Sequence, residues 1–412
     1  MKRMVRSLVP APLLSLYHFS LAIVGALIYG FPSSSLYIIG VTGTKGKTST
    51  TEYINSIFEA AGKKTALLNS IRVKVGPDSR RNVLGRSMPG RFFIQRFLAQ
   101  ARAAGCEVVV LEMTSEGAKQ HRHRGIALDT FVFTNLAPEH IESHGSYEAY
   151  ANAKLELARQ LIRSKKRPRT LIVNEDDEQA PRYLALPAER KIAFSLAKQI
   201  PWQASAQGGS FSFAGTTVTT SLPGEFSLRN ALAAAEAASA AGIAPETIAR
   251  GIAALSVIPG RAERVDEGQP FTVVVDYAHT PESLAALCDA YSAMRKICIL
   301  GSAGGGRDTW KRPVMGKVAE EKCAVVILTT DDPYDDDPMQ IIEEIAAGMK
   351  KRPEILPDRR EAIRRALSLA QAGDAVLITG MGIDAPHIRG GTSAWSDASV
   401  AREELKRLSQ AV

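Results

Sequence analysis

The chain is poor in cysteine. It has four in 412 residues, Cys106, Cys288, Cys298 and Cys323, and none shows CxxC spacing. That argues against a zinc ribbon, a thiol–disulfide motif or a secreted disulfide scaffold. The four are expected to be reduced thiols in apolar cores, in the manner of cytosolic proteins. Aromatic residues make up 6%. They are not interleaved with basic ones, and the densest basic tract, RSKKRPR at 163–169, reads as a solvated loop, so nucleic acid is not an expected partner. Internal repeats and low-complexity tracts are missing. From Ser7 to Thr44 there is no Asp, Glu, Lys or Arg, although the segment before it, MKRMVR, is basic. No Ala-x-Ala cleavage site follows this gap, so removal as a signal peptide is not expected.

What is present is ordinary for a globular enzyme. Hydrophobic residues are 45%, charged residues 23%, and the net charge is +8. The length suits two or three domains. A modest positive excess fits an anionic substrate or a membrane surface and chooses neither. Strand-like apolar runs alternate with helical stretches. Leu36–Val41, Glu107–Leu111, Thr130–Thr134 and Thr170–Val173 are expected strands. Ser49–Ala61 and Tyr147–Ile162 are expected helices. This alternation predicts a mostly parallel sheet. Residues 203–222 predict a small antiparallel excursion, followed by Ala-rich helices at Ser227–Ala241 and Pro245–Leu255. After a linker at Val257–Gly260 the pattern restarts as a second doubly wound unit, with strands at Phe271–Val275, Lys296–Leu300, Ala324–Thr329 and Ala375–Thr379. The expected division is 1–37, an apolar helical segment; 38–257, a P-loop-type ATPase domain; and 258–412, a smaller α/β domain.

The chemistry centres on Gly43, Thr44, Lys45, Gly46, Lys47, Thr48 and Ser49, between a strand and a helix. Glycines let backbone amides reach phosphate oxygens. The helix N-terminus and Lys47 supply positive charge, and the Thr48 hydroxyl suits Mg²⁺. The strict Walker spacing needs glycine at position 41, which is Val41. The loop is a spacing variant. Glu112 ends a strand and His140 follows the next one. Both fall where ligands meet an open α/β sheet, and a carboxylate and an imidazole there suit Mg²⁺.

The stretch TGTKGKTST resembles the ATP loop of the Mur ligases, the amide-forming synthetases of peptidoglycan precursors. The resemblance continues through LEMTSEGAKQHR (111–122), FTNLAPEHIESHGSYEAYANAKLEL (133–157), VNEDDE (173–178), LPGEFSLRNALAA (222–234), PGRAE (259–263), VDYAHTPESL (275–284), GGGRDTWKRPVMG (304–316), TTDDPYDDDP (329–338) and WSDASVAREEL (395–405). It is strongest to the tripeptide-synthetase branch. It implies ATP and Mg²⁺ as cofactors, and an amino acid added to a muramoyl-L-Ala-D-Glu-type precursor through an acyl phosphate. Lys47, Lys154 and His140 take the catalytic positions, and Lys154 matches the lysine that the family carbamylates. A helix lysine on its own is nearly always a solvated surface charge. Thr48, Glu112, His140 and carbamylated Lys154 match the metal positions. Asn230, Arg261, Asp276 and His279 match nucleotide contacts. Ser87, Met88, Ser115, Gln120 and Arg122 match the acceptor side. Arg307, Asp331, Asp332, Tyr334, Gly380 and Asp384 match the amino-acid side.

Three departures stand out. Glu139 replaces the family's usual Asp before the histidine. Tyr334 stands where diaminopimelate-adding members carry Arg, and Asp335, Asp336 and Asp337 follow it. An acidic pocket without that Arg favours L-lysine or another diamino acid, although acids before Pro338 also suit a plain helix N-terminus. Members also carry a uridine-nucleotide domain before the loop. Here about 37 residues precede Ile38, so the acceptor is expected to be held differently, UDP-linked or lipid-linked. A folylpolyglutamate-synthase-like ligase is the alternative within the same ATP core. Residues 8–30 are expected either to pack on the ligase core or to lie on the inner membrane face of a cytoplasmic, monomeric enzyme. A simple span with MKRMVR inside would put the ATP loop outside.

Overall fold

The structure is a computed structural model that describes residues 10–139, 141–383, 387–388, 391–392 and 395–410. The apolar front segment forms helix α1 (Ala11–Ile28), with Pro10 as its N-cap. A proline there suits a helix start, because the first amides have no partner in any case. Among the described residues, no helix is long and apolar enough to cross a membrane.

The first large sheet has the order β4-β3-β2-β5-β1-β6-β7-β8. Its strands are β1 (Tyr37–Thr42), β2 (Thr65–Leu68), β3 (Arg72–Val75), β4 (Asp78–Arg81), β5 (Val108–Glu112), β6 (Thr130–Phe133), β7 (Thr170–Asn174) and β8 (Arg190–Phe194). From β2 to β8 every pair is parallel; β3 and β4 form an antiparallel edge. The central strands are apolar without alternation, as burial on both faces requires. Helices α2 (Lys47–Ala60), α3 (Arg91–Ala103), α4 (Ser115–Lys119) and α5 (Tyr147–Ile162) cover the sheet.

A three-stranded antiparallel sheet follows, β9 (Trp202–Ser205), β10 (Gly208–Phe213) and β11 (Thr216–Thr220). Helices α6 (Glu225–Ala240) and α7 (Pro245–Ala254) then return to α2. They come close because their contact residues are small. A methyl at Gly251 would lie 2.4 Å from Ile57 Cα.

The second sheet has the order β12-β13-β17-β14-β15-β16. Its strands are β12 (Glu263–Val265), β13 (Thr272–Asp276), β14 (Lys296–Leu300), β15 (Val325–Leu328), β16 (Glu354–Ile355) and β17 (Ala375–Thr379). All its pairs are parallel except β12 with β13. Around it lie α8 (Pro281–Ala290), α9 (Lys311–Lys322), α10 (Pro338–Ala346), α11 (Arg359–Leu369) and α12 (Asp397–Gln410). The α/β class, the parallel sheets and the antiparallel excursion agree with the sequence reading. Cys106, Cys288 and Cys298 are buried, Cys323 is partly buried, and all four are free thiols.

The basic tract is a loop with Arg163, Lys165 and Arg167 exposed, as expected, but it also carries ion pairs. Lys166 donates to Asp129 at 2.7 Å, and Arg169 donates to Glu189 at 2.6 Å. These pairs tie the start of β7 to the strands on either side.

Candidate active site

β1 delivers Gly43 to the carboxyl edge of the first sheet, and Gly46 (φ 79°) opens α2. A side chain at Gly46 would collide with Asn230, because its Cβ would lie 2.1 Å from Oδ1. No side chain caps α2, so its first-turn amides keep the arrangement that suits a phosphate. The loop is gripped from the segment after β6. Asn135 accepts the Thr44 amide with its carbonyl and the Lys45 amide with Oδ1, each at 2.8 Å. Thr134 Oγ1 donates to the Lys45 carbonyl at 2.7 Å. Tyr150 OH lies 3.0 Å from Thr44 Oγ1. None of these three was singled out in the sequence. The signal available was FTN directly after a strand.

Lys47 folds over the loop and donates to the carbonyls of Gly43 and Thr44, at 3.0 and 2.9 Å. Lys154 reaches the same place from α5 and donates to the Gly43 carbonyl at 2.6 Å. It is 2% exposed, so it is not the solvated charge that a helix lysine usually is. Burial, followed by the neighbouring Lys47 charge, pushes its pKa well below the usual lysine range. Burial also lowers Lys47, against the opposing pull of Glu112 and Glu139.

Glu112 joins two parts of the site. Its Oε2 accepts from Thr48 Oγ1 at 2.9 Å and from the Ser70 amide at 3.1 Å, and its Oε1 accepts from Ser87 Oγ at 2.7 Å. A buried carboxylate beside a loop hydroxyl is an oxygen donor set that fits Mg²⁺. Among the described residues, no trio of His, Cys, Asp or Glu forms a complete metal cage. His140 and Asp384 lie outside the described residues.

On the acceptor side, Ser115 is buried at the start of α4, which Thr114 caps through the Gly117 amide at 3.2 Å. Arg122 donates to the Met88 carbonyl and, at 2.7 Å, to Gln120 Oε1. The Met88 side chain is buried against the Thr114 amide, with Sδ at 3.4 Å.

The second sheet closes the site. Glu139 is 4% exposed. It accepts from Lys45 Nζ at 3.3 Å and meets His279 Nε2 at 2.7 Å. The other ring nitrogen of His279 lies 2.7 Å from the Tyr277 carbonyl. Arg261 lies over the Tyr277 ring at 4.2 Å, and Asp276 accepts the Ala262 amide at 2.6 Å. Asp308 accepts the Ile141 amide at 3.2 Å. Lys311 and Arg312 are both buried. Arg312 donates to Glu344 at 2.6 Å.

On the amino-acid side, Arg307 donates to Tyr334 OH at 2.5 Å and lies 4.6 Å from the Tyr334 ring centre. Tyr334 itself has φ 53°. Gly380, at φ 104°, leaves room for Asp331, whose Oδ2 would lie 2.0 Å from a Cβ there. Burial raises the Asp331 carboxyl to about 6. Asp332 accepts the Gly304 amide through its carbonyl at 2.8 Å. Asp337 caps α10 through the Met339 amide at 3.0 Å, so one of the three extra acids works as a helix cap.

Relatives bear out the resemblance. Residues 41–238 match the Mur ligase middle domain, and residues 260–382 match the Mur ligase glutamate ligase domain. A UDP-N-acetylmuramoyl-L-alanyl-D-glutamate–2,6-diaminopimelate ligase of Geobacillus kaustophilus is 38% identical, over 97% of this chain and 84% of its own. The chain belongs to the Mur ligase family. Like the other Mur ligases, it is an ATP-dependent ligase that uses Mg²⁺. A UDP-N-acetylmuramyl-tripeptide synthetase of Roseiflexus is 36% identical, over 97% of this chain and 85% of its own. A solved diaminopimelate ligase of the same type is 30% identical, with a TM-score of 0.61, over 91% of this chain and 79% of that one. Folylpolyglutamate synthase of Mycobacterium tuberculosis has a TM-score of 0.71 at 18% identity, over 96% of this chain and 95% of that one. At that identity the likeness speaks for the fold alone.

One buried histidine beside the acceptor residues sets a pH limit on this Mur ligase. His123 is fully buried. Burial, then the charges of Arg124, His121 and Arg163, push its pKa down to about 3. The folded state therefore binds fewer protons than the unfolded one below pH 6.5. Stability from this group is unaffected above about pH 7 and is lost as pH falls from 6.5 towards 3. The loss is about 2 kcal/mol between pH 7 and pH 5. Denaturant melts at the two pH values should show it, and His123→Leu should shrink the difference by that amount.

Proposed function

We propose that this ligase adds a diamino acid to the D-Glu end of a muramoyl-L-Ala-D-Glu acceptor through an acyl phosphate. The observation that carries this reading is the double use of Glu112. One of its oxygens takes the phosphate-loop Thr48, and the other takes Ser87 of the acceptor segment. The phosphate loop and the acceptor segment thereby meet at one carboxylate. The acceptor oxygen attacks the γ-phosphorus, the bond to the β-phosphate oxygen breaks, and ADP leaves. The amine then attacks the acyl carbon, the C–O bond to phosphate breaks, and the amine loses a proton.

Both reactants of the first step are anions. Lys47, the α2 N-terminus and Lys45 offset their repulsion and fix an in-line approach. Bound Mg²⁺ would supply further charge neutralisation from Glu112 and Thr48, with His140 and carbamylated Lys154 as the remaining members. Arg122 and Gln120 suit the D-Glu carboxylate and muramoyl portion. Asn230, Arg261, Asp276 and His279 suit the nucleotide. The 38–257 and 258–412 units work as the two jaws, and excluding water protects the acyl phosphate.

For the incoming amino acid, the relatives above are named for 2,6-diaminopimelate or for the tripeptide. Tyr334 engages Arg307, and acids flank it on both sides in the chain, Asp331 and Asp332 before it and Asp335 to Asp337 after it. We infer L-lysine before diaminopimelate, with Arg307 reading the α-carboxylate. Phosphate release measured over a panel of amino acids tests this. Lysine-dependent turnover supports it, whereas robust turnover with diaminopimelate and none with lysine overturns it. The enzyme is taken to act as a monomer on the cytoplasmic side, where ATP is, with peripheral membrane contact through residues 8–30. One observation favours a lipid-linked carrier as a second reading: α1 touches the acceptor segment through Ser15 Oγ, 2.7 Å from His121 Nε2.

A further inference from the structure

Helix α1 has two apolar faces, and only one is used inside the molecule. The inner face holds Ala22 and Ala26, both buried, and Gly25, where a methyl would meet Phe92 and Gln95 of α3 at 3.5 and 3.7 Å. His18, on the same face, meets Arg91, which also donates to the Gln120 carbonyl at 3.2 Å. Arg102 donates to the carbonyls of Tyr29 and Gly30 at the far end, each at 3.4 Å. These contacts seat the inner face of α1 against α3 and the 119–126 loop.

The outer face carries Leu13, Leu16, Tyr17, Val24, Leu27 and Ile28. Their spacing is that of one helical stripe, and Leu16, Leu27 and Ile28 are 60%, 59% and 65% exposed. Phe31 and Phe92 extend the patch and are also exposed. The stripe runs the length of an 18-residue helix, about 27 Å.

Charge selects the occupant. α3 and the 119–126 loop, which lie beside α1, together contain Arg91, Arg96, Arg102, Lys119, Arg122 and Arg124. They contain no Asp or Glu. The acid facing this region from a neighbouring element is Glu156 of α5, which pairs with Arg124 at 2.9 Å. Glu116 of α4 meets Gln120 Nε2 at 2.6 Å. An exposed apolar stripe next to elements that carry cations and no acids suits a helix lying in the surface of an anionic bilayer. A second copy of the chain would bring the same cations against themselves.

We propose that α1 is an interfacial anchor. Its outer stripe enters the headgroup boundary of an anionic phospholipid membrane, while its inner face holds the acceptor segment at Arg91, Gln120 and His121 against that surface. The proposal deepens the peripheral-contact reading above and rests on it for the side of the membrane. Co-sedimentation of the full chain with phosphatidylcholine vesicles, with and without phosphatidylglycerol, tests it. Expected is binding to the anionic vesicles, weakened by salt, and cut at least about tenfold by the exposed-site pair Leu16→Glu and Leu27→Glu. Lack of vesicle binding, or binding indifferent to that pair, overturns the proposal. A stable dimer broken by the same pair overturns it in favour of self-association. Ligation on a soluble UDP-linked acceptor, read on the same samples, should be unchanged by the pair. Failure of the parent chain on both UDP-linked and lipid-linked acceptors would count against the ligase reading and leave the vesicle result standing.

Discussion

Replacing Lys47 with alanine should lower kcat about 10³-fold or more while leaving the fold intact. Among the described residues the ammonium bonds to the Gly43 and Thr44 carbonyls, which are loop groups and not core. Its loss therefore removes charge at the phosphate loop without opening a cavity. The magnitude follows from its task. In phosphoryl transfer the protein contributes mainly position and charge, so one full cation at the transferring group is worth several kcal/mol. Lys47→Arg should rescue little, because a planar fork does not replace a compact ammonium between two carbonyls. Stopped-time phosphate release, with a thermal melt as the control for folding, checks both variants. Activity within tenfold of the parent would remove Lys47 from the mechanism.

Lys154→Ala should cost about 10²-fold or more, and the parent enzyme should depend on dissolved CO₂. Lys154 is buried, its Nζ lies 4.8 Å from the Tyr150 ring centre, and it bonds to the Gly43 carbonyl. Two cations then share the loop, because Lys47 bonds to the same carbonyl. Burial holds Lys154 well below its ordinary pKa, which favours the free amine over the ammonium. That amine can add to CO₂, form an N–C bond and release a proton. The product is a carbamate anion, which turns repulsion from Lys47 into attraction and gives oxygen ligands beside Glu112. Activity should rise when bicarbonate is restored to degassed enzyme at fixed pH. A carbamate ¹³C resonance should appear with labelled CO₂ and be missing in Lys154→Ala. Indifference to CO₂ together with a mild Lys154→Ala phenotype would leave the lysine a structural role.

The legible part of this protein was the part written in local pattern. The central strands were readable because burial on both faces makes them apolar throughout. The loop was readable because phosphate binding demands glycines, Lys47 and Thr48 in a fixed order before a helix. The hairpin of β3 and β4 was missed because RVKVGPDSRR is charged, and β4 is exposed along its whole length. Edge strand β8 was missed for the same reason, with Arg190 and Lys191 exposed. The grip of Thr134, Asn135 and Tyr150 on the loop was not legible, because each acts across a gap of about 90 residues or more. Glu139 was noticed only as a departure. Its position between Lys45 and His279 joins the two sheets, and a sequence does not display such a contact. The apolar front segment was legible as a helix, but which of its faces is buried depended on seeing Ala22, Gly25 and Ala26 against α3.

The most direct test of the central claim is to follow oxygen. An acceptor labelled with ¹⁸O in the D-Glu carboxylate is turned over with ATP and L-lysine, and the released phosphate is analysed by mass. An acyl phosphate requires one labelled oxygen in each phosphate formed, because the attacking carboxylate oxygen leaves with phosphorus when the amine displaces it. Unlabelled phosphate accompanying full amide formation would contradict the account.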